Sequence, residues 1–249
     1  YITIGQPQKA LEYYEKALLI SEEVGDRSQE ATTLSNIGLV YSDIGKPQKA
    51  LEYYEKALPI SQEVGARSQE ATTLSNIGLV YNTIGQPQKA LEYLQKALPI
   101  LQEVENRSME AATLNNIGLV YNTIGKPQKA LEYFQKALPI TQEVDYRSGE
   151  ATALNNIGLV YITIGKPEKA LEYLQKALPI LQEVENYSVE AAALNNIGAF
   201  YFGIGKLEKA LEYLQKALPI LQEVGDRSGV AVTLNNISAV YRDSNQPEK

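Results

Sequence analysis

Apolar and small side chains recur along this chain at steps of three and four, and the whole pattern returns every 40 residues. In the unit at residues 28–67, the first apolar series consists of Ala31, Leu34, Ile37, Gly38 and Tyr41. Steps of this kind mark one face of an α-helix. A second series with the same spacing begins near Ala50 and continues to Val64. Each unit therefore predicts two helices, which we call helix A and helix B.

The predicted helices cover almost the whole chain. Five complete A–B pairs are expected at residues 28–64, 68–104, 108–144, 148–184 and 188–224, with a leading helix B at 7–24 and a trailing helix A at 228–244. Units of 20–50 residues are typical of stacked arrays, because one helix pair cannot bury both of its faces and neighbouring pairs share a core. We therefore predict an all-α solenoid of antiparallel helix pairs that forms a single array over residues 1–249. Tyr1 and Lys249 both fall inside a unit, so we expect this chain to be a segment of a longer protein.

Recurring residues mark the ends of helix A. Ser28 and its counterparts precede the first apolar position, where a hydroxyl can accept a hydrogen bond from a free helix N–H, so we expect Ser28 to be the N-cap. Gly45 suits the left-handed residue that ends helix A, and Pro47 suits the first turn of helix B. In the last copy Asn245 replaces the glycine, and asparagine also tolerates that conformation.

Helix B contains a proline in five of its six copies, at Pro59 and its counterparts. A proline inside a helix costs about 3 kcal/mol, but the apolar steps continue past it. We therefore predict a kinked but continuous helix to about Val64. Glu105, Asp145 and Glu185 replace the glycine that follows other copies, so we expect those B helices to run a residue or two further.

These recurring residues resemble the tetratricopeptide repeat family. Its pattern of apolar, small and aromatic positions falls on Leu34, Ile37, Gly38, Tyr41, Ala50, Tyr54 and Ala57, and it returns in every unit. The usual unit of the family has 34 residues, and the longer unit here is similar to the arrays of kinesin light chain, of LGN/Pins and of cyanobacterial proteins. The resemblance implies a right-handed superhelix whose A helices line a concave groove, where a peptide or a helix usually binds.

Two neighbouring columns of polar residues would face that groove. One consists of Ser35, Ser75, Asn115, Asn155, Asn195 and Asn235, and the other of Asn36, Asn76, Asn116, Asn156, Asn196 and Asn236. Asparagine is a poor residue inside a helix, at a cost of about 0.5 kcal/mol relative to alanine, so these columns require an offsetting benefit. A carboxamide both donates and accepts hydrogen bonds, which suits a bound peptide backbone. Alternatively, these amides bond to neighbouring A helices and stiffen the stack, or they do both.

The later units offer apolar residues at groove positions, and an apolar region could hold an aliphatic or aromatic anchor of a ligand. Alternatively, Ile162 and Phe202 pack against a further domain or are simply exposed. The predicted peptide-binding residues are Asn36, Asn76, Asn115, Asn116, Asn155, Asn156, Asn195, Asn196, Asn235, Asn236, Leu119, Leu159, Ile162 and Phe202.

Composition narrows the possible functions. The chain has no histidine and no cysteine, which removes the commonest general base, the commonest metal ligand and all disulfides. Its net charge is −7 and its lysines and arginines are dispersed, so a surface that tracks phosphates is not expected. No run of about 18 apolar residues predicts a membrane span. A carboxylate pair for catalysis needs two groups in one pocket with different environments, whereas the carboxylates here follow helical-surface spacing.

We therefore expect a cytoplasmic protein-interaction scaffold that is not an enzyme, binds no cofactor, metal, nucleic acid or membrane, and recognises a protein or peptide ligand. Two alternatives remain open. The chain could be the regulatory or sensor array of a larger signalling or protease-like enzyme. It could also be a structural array that associates with itself head to tail.

Overall fold

The computed structural model describes residues 6–244, and no strand occurs in this part of the chain. Its helices are α1 (Pro7–Val24), α2 (Arg27–Asp43), α3 (Pro47–Glu63), α4 (Arg67–Thr83), α5 (Pro87–Glu103), α6 (Arg107–Thr123), α7 (Pro127–Glu143), α8 (Arg147–Thr163), α9 (Pro167–Glu183), α10 (Tyr187–Gly203), α11 (Leu207–Glu223) and α12 (Arg227–Ser244). The even-numbered helices are the A helices of the repeat, and the odd-numbered helices are the B helices. The protein has an all-α solenoid fold, as the periodicity predicts.

The A helices begin one residue earlier than predicted, and Ser28 is not their N-cap. Helix α2 begins at Arg27, which makes Asp26 the cap. The Asp26 carboxylate accepts a hydrogen bond of 2.9 Å from the backbone N–H of Gln29. Aspartate caps as well as serine does, but the capping side chain does not set the start of the helix, because α4 begins at the same point of the repeat behind Ala66, which makes no side-chain cap. Asn106 and Asn186 cap α6 and α10 in the same way.

The turn from helix A to helix B follows the prediction. Gly45 has a φ of 69°, in the left-handed region that favours glycine, and Pro47 is the first residue of α3. The tight turn places the two helices of a pair side by side. The predicted counterpart at Asn245 lies outside the described residues.

The predicted extension of three B helices is wrong. Helices α5, α7 and α9 end at Glu103, Glu143 and Glu183, at the same point of the repeat as α3 does. Glu105, Asp145 and Glu185 adopt left-handed conformations with φ of 54°, 51° and 54°. The turn that leads into the next A helix requires this conformation, so the acidic residues adopt what glycine adopts elsewhere. Helix α3 runs through Pro59 without interruption to Glu63, which confirms the predicted continuity, while the kink at Pro59 stays a prediction.

The chain divides into two compact units, Tyr1–Lys126 and Pro127–Lys249. In the first unit, α1 to α6 pack in sequence, and the A helices α2, α4 and α6 also contact one another in order. In the second unit, α7 to α12 pack in the same sequential way, and α8, α10 and α12 form the row of A helices. Each unit is therefore a stack in which a helix contacts only those near to it in sequence.

Close packing within a pair depends on a glycine in helix A. A Cβ added at Gly38 would lie 2.7 Å from the ring of Tyr54, and one added at Gly198 would lie 2.7 Å from Leu214. Tyr54 and Leu214 are fully buried. The absent side chain thus lets the B helix approach the A helix closely, and it fixes which face of helix A remains for other contacts.

Candidate functional site

The two polar columns of the A helices differ in what their side chains contact. In the first column, Ser35 and Thr73 share a hydrogen bond of 2.9 Å that joins α2 to α4. Ser75 and Thr113 join α4 to α6 in the same way over 3.2 Å. These side chains are buried, so each bond connects successive A helices inside the stack. At these positions the structure supports the interpretation that the column stiffens the array.

Asparagine takes the serine position in the second unit. The Asn195 Nδ2 donates to Thr233 Oγ1 over 2.6 Å, and the Thr233 hydroxyl donates to the Gly229 carbonyl over 2.8 Å. The same offset of 38 residues places Ala193 opposite Asn155. Asn155 is 6% exposed, and its Oδ1 is buried without a hydrogen-bond partner. In the second unit, the first column therefore makes a bond between A helices at Asn195, whereas the Asn155 oxygen lacks one. Asn235 is exposed on α12.

Most side chains of the second column are partly exposed. Asn36, Asn76, Asn116 and Asn196 are each partly exposed. Within the described residues, none of these four amides makes a hydrogen bond through its side chain. Asn156 is more deeply buried, at 8% exposure, and it does have a bonding partner. Unlike the first column, these four positions carry polar groups that the fold itself does not use.

The predicted apolar residues occupy three different environments. Leu119 and Leu159 are half-buried on their A helices. Ile162 is 43% exposed at the end of α8. Phe202 is half-buried and packs against the core of the second unit. Ile162 lines a cavity together with a predicted asparagine, Asn196.

That cavity lies in the second unit, between α8, α9 and α10, and has a volume of about 330 Å³. Its lining residues are Ile162, Pro167, Ala170, Leu171, Leu174, Asn196, Ala199, Phe200, Gly203 and Ile204. No charged residue is among them, and Asn196 supplies the one side-chain amide of the lining. Asn196 and Ile162 were among the residues predicted from the sequence. Ala199 was not, and its small side chain leaves space in the cavity. The sequence indicates this difference, because four other copies have leucine at the same point of the repeat, at Leu39, Leu79, Leu119 and Leu159.

A smaller and more polar cavity lies in the first unit between α2 and α4, with a volume of about 260 Å³. It is lined by Thr32, Ser35, Asn36, Ser68, Gln69, Thr72 and Thr73. The Thr32 hydroxyl donates to Gln69 Oε1 over 3.1 Å, whereas the buried Gln69 Nε2 has no partner. The A helices of the two units therefore present cavities of different chemistry.

Near the beginning of the A helices, ion pairs connect these helices with their neighbours. Arg67 bonds Glu70 over 2.5 Å and Glu103 over 2.7 Å, and Gln62 donates to Glu70 over 3.0 Å. These contacts connect α4 with the helices on both sides of it. The hydrogen bond from Arg67 lowers the pKa of Glu103 below its ordinary value. The sequence analysis did not find this network, whose members lie 8 and 36 residues apart.

Most of the recurring tyrosines of helix B stack on a tyrosine of helix A. Tyr53 stacks on Tyr41 with ring centroids 5.4 Å apart, and Lys56 lies over the Tyr53 ring at 5.2 Å. Burial raises the pKa of the Tyr53 hydroxyl, with a smaller contribution from Tyr41. These rings are already engaged with one another and with lysines, so they offer no open site.

Two further features concern metal ions and membranes. The described residues contain no group of three or more histidine, cysteine, aspartate or glutamate side chains that could hold a metal ion. Between residues 6 and 244, no helix has the length and hydropathy needed to cross a bilayer. Neither result adds a functional site to the A-helix surface.

Comparisons with known proteins agree with this architecture. Three solved structures show the same fold at low sequence identity. A signal transduction ATPase with numerous domains (STAND) from Pyrococcus horikoshii, which has a tetratricopeptide repeat sensor, superposes with a TM-score of 0.83 at 20% identity, over 99% of this chain and 38% of that one. A Rap protein complexed with Competence and Sporulation Factor has a TM-score of 0.70 at 19% identity, over 97% and 72% of the two chains. The nearly identical TPR-like repeats of a kinesin light chain from Podosopora anserina have a TM-score of 0.62 at 17% identity, over 78% and 96%.

The search of curated proteins gave no match to this sequence. The family model of the tetratricopeptide repeat matches residues 1–63, 53–103, 109–183 and 189–249. These four matches together span nearly the whole length, and the predicted likeness to kinesin light chain repeats is confirmed at the level of the fold. The chain belongs to the tetratricopeptide repeat family.

Proposed function

We propose that this chain is a cytoplasmic, non-catalytic scaffold that binds a peptide or a helix of a partner protein along the A helices. Arrays of this family typically mediate protein–protein interactions. The observation that supports the finer proposal is a set of partly exposed amides without a side-chain hydrogen bond, which includes Asn36, Asn76, Asn116 and Asn196. Each can donate to and accept from a peptide group, whatever side chain that residue of the peptide has.

The cost of asparagine inside a helix also favours a bound ligand as the reason for this column. Asparagine at one helix position in six copies costs about 3 kcal/mol of helix propensity in total, at about 0.5 kcal/mol each. The neighbouring column recovers such a cost through bonds between helices, as Ser35 and Asn195 do. Asn76 and Asn116 recover nothing within the fold. Hydrogen bonds to a bound backbone would offset the cost only in the complex.

The test compares the two columns. Peptides are selected on the intact chain from a displayed random library, and the affinity of the best one is measured by calorimetry. Asn76→Ala with Asn116→Ala should weaken binding roughly tenfold or more, because two hydrogen bonds of about 1 kcal/mol each are lost. The melting temperature should stay the same or rise slightly, since alanine is the better helix former.

The matched control is Ser35→Ala with Ser75→Ala, which removes the buried bonds between A helices. This variant should melt at a lower temperature and keep most of its peptide affinity. If the asparagine variant instead melts lower and binds equally well, the second column is structural and the proposal fails. Light scattering over the same concentrations separates peptide binding from head-to-tail self-association, the alternative that the sequence leaves open.

A regulatory or sensor array is the second candidate, and one comparison favours it. The STAND protein that superposes on 99% of this chain contains its repeats as a sensor, and this chain spans only 38% of that protein. The same A-helix surface would then bind a signalling ligand instead of a partner protein of a scaffold. Determining the sequence of the complete gene product distinguishes the two candidates, because an adjoining ATPase or protease-like domain would favour the sensor.

A further inference from the structure

The cavity of the second unit lies where helix α10 lacks side chains that most of the other A helices have. Helix α10 has Ala199 where four other copies have leucine, and Gly203 where Thr83, Thr123 and Thr163 stand in theirs. These two positions are one helical turn apart on the same face. A Cβ added at Gly203 would meet no atom within 4 Å, so the space beside it is open. The two losses of side-chain volume therefore open one continuous hollow.

The floor of the hollow is built from core residues. Leu174 is 1% exposed and Ala170 is 2% exposed, so the inner end of the cavity is formed by apolar core side chains. Phe200, which replaces a valine of other copies, packs edge-on against Tyr201 with ring centroids 5.4 Å apart. Ile162 closes the outer side, where other copies have Ser42, Asn82 or Asn122. Replacements on α8 and α10 thus converge to give one apolar hollow.

The chemistry of the lining limits what can enter. No lysine, arginine, aspartate or glutamate lines the cavity. A charged group would lose its hydration there without a partner, which costs far more than an apolar contact returns. The volume of about 330 Å³ is at the small end of the range for ligand pockets. The cavity therefore suits one uncharged side chain and not a large molecule.

The Asn196 amide can orient a peptide in the cavity. Its amide is partly exposed, lines the cavity and makes no side-chain hydrogen bond within the described part of the chain. A peptide whose side chain enters the hollow would bring its own backbone N–H and C=O beside this amide. A hydrocarbon without a peptide group would leave the amide unused.

We propose that this hollow is a specificity pocket that takes one leucine-like or aromatic side chain of a bound peptide, while Asn196 binds the adjacent peptide group. The inference rests on the proposed peptide-binding function and deepens it, because it assigns selectivity to one repeat. The column of amides would bind any backbone, whereas this pocket would choose the side chain.

The first experiment uses minimal probes. N-acetyl-leucinamide and N-acetyl-phenylalaninamide are titrated into the isotope-labelled chain, with N-acetyl-glycinamide as the control. We expect resonances of α8, α9 and α10 around the cavity to shift with either apolar probe, and no saturable shift with the glycine probe. Saturable shifts that map elsewhere would overturn the proposal, as would none with either apolar probe.

The variant Ala199→Leu with Gly203→Thr fills the hollow with the residues that Leu119 and Thr123 supply in α6. Because the other repeats fold with these side chains, the filled variant should keep its helical content. It should lose probe binding. The reverse change in the first unit, Leu119→Ala with Thr123→Gly, is the size-matched control and should leave the shifts at α10 intact. A filled variant that still binds the probes at the same helices would contradict the proposal.

Selected peptides separate failure of the pocket from failure of the scaffold. We expect peptides selected on the unaltered chain to share an apolar residue and to bind the filled variant roughly 10- to 100-fold more weakly, which is the worth of burying one such side chain. If peptides are selected but bind the filled variant equally well, the pocket proposal is wrong and the scaffold proposal stands. If light scattering shows association of the chain with itself that filling abolishes, a second copy and not a peptide occupies the pocket, and the proposal is overturned.

Discussion

Adjacent polar residues on the same helix have different roles in this protein. Ser35 and Ser75 are buried and bonded to the next A helix, whereas Asn36 and Asn76 are partly exposed and unbonded. The difference is a rotation of about 100° around a helix with 3.6 residues per turn. One residue faces the neighbouring A helix and the next faces outward. A substitution in either column therefore tests a different property, stability or binding.

The unpaired amide of Asn155 provides a stability prediction. Ala193→Thr restores the residue type that Thr233 supplies opposite Asn195, and position 233 accommodates threonine at full burial. The new hydroxyl gives the buried Asn155 side chain a partner, and a half-turn of the amide lets either its N or its O meet that hydroxyl. We expect the free energy of unfolding to rise by about 1 kcal/mol relative to the control below, as measured by urea denaturation.

The control for this change is Ala192→Thr, one residue earlier on the exposed surface of α10. It introduces the same side chain and the same loss of helix propensity, about 0.6 kcal/mol, without a buried partner. If the two variants are equally stable, the Asn155 amide is already satisfied, for example by a buried water, and its orphaned oxygen has no energetic consequence.

At the level of the element, the spacing of apolar residues predicted the helices and the turn from A to B, but not where the A helices begin or where three of the B helices end. Ser28 met the composition rule for an N-cap, and yet Asp26 fills that role, because the cap depends on where the chain leaves the preceding turn. Glu105 met the rule for continuing a helix, and yet it adopts a left-handed conformation. In both cases the packing of the next helix determined the backbone. Local propensity is too weak, at less than about 1 kcal/mol per residue, to oppose it.

The left-handed acidic residues are sites of strain that glycine would relieve. A left-handed conformation costs a residue with a side chain about 1–2 kcal/mol, whereas glycine adopts it freely but loses about 0.5–1 kcal/mol more in entropy on folding. We therefore expect Glu105→Gly to stabilise the protein by about 0.5–1 kcal/mol. The reverse change, Gly65→Glu, should destabilise it by a similar amount, because Gly65 occupies the same turn with a φ of 66°.

Urea denaturation of both variants and the parent measures this pair of changes. A rise in midpoint for Glu105→Gly with a fall for Gly65→Glu is the expected result. A fall for both would mean that the acidic side chain contributes interactions at this turn that outweigh its backbone strain.

At the level of the whole molecule, the candidate site was only partly predictable from the sequence. The asparagine columns were visible as repeats, because a repeated residue stands out in a periodic chain. The different contacts of the two columns were not visible in the sequence, because the partner of Asn195 is a threonine 38 residues away. The cavity was harder still, since it depends on side-chain volume that Ala199 and Gly203 lack and on three helix backbones that enclose the space. A departure from the repeat, more than the repeat itself, marks the place where one unit differs in chemistry.

Because each helix contacts only its near neighbours in sequence, damage to one pair should stay local. In Gly198→Ala the added Cβ would lie 2.7 Å from Leu214, so α10 and α11 must separate or repack, at a cost of about 1–3 kcal/mol. We expect hydrogen exchange, measured by mass spectrometry, to accelerate in α9 to α12 while α2 to α4 keep their protection.

Gly203→Ala is the control, since its Cβ meets nothing within 4 Å and the exchange of these helices should not accelerate. Equal acceleration in α2 and α10 would show instead that the two units unfold as one cooperative body, and the nearest-neighbour description would then be wrong for this chain.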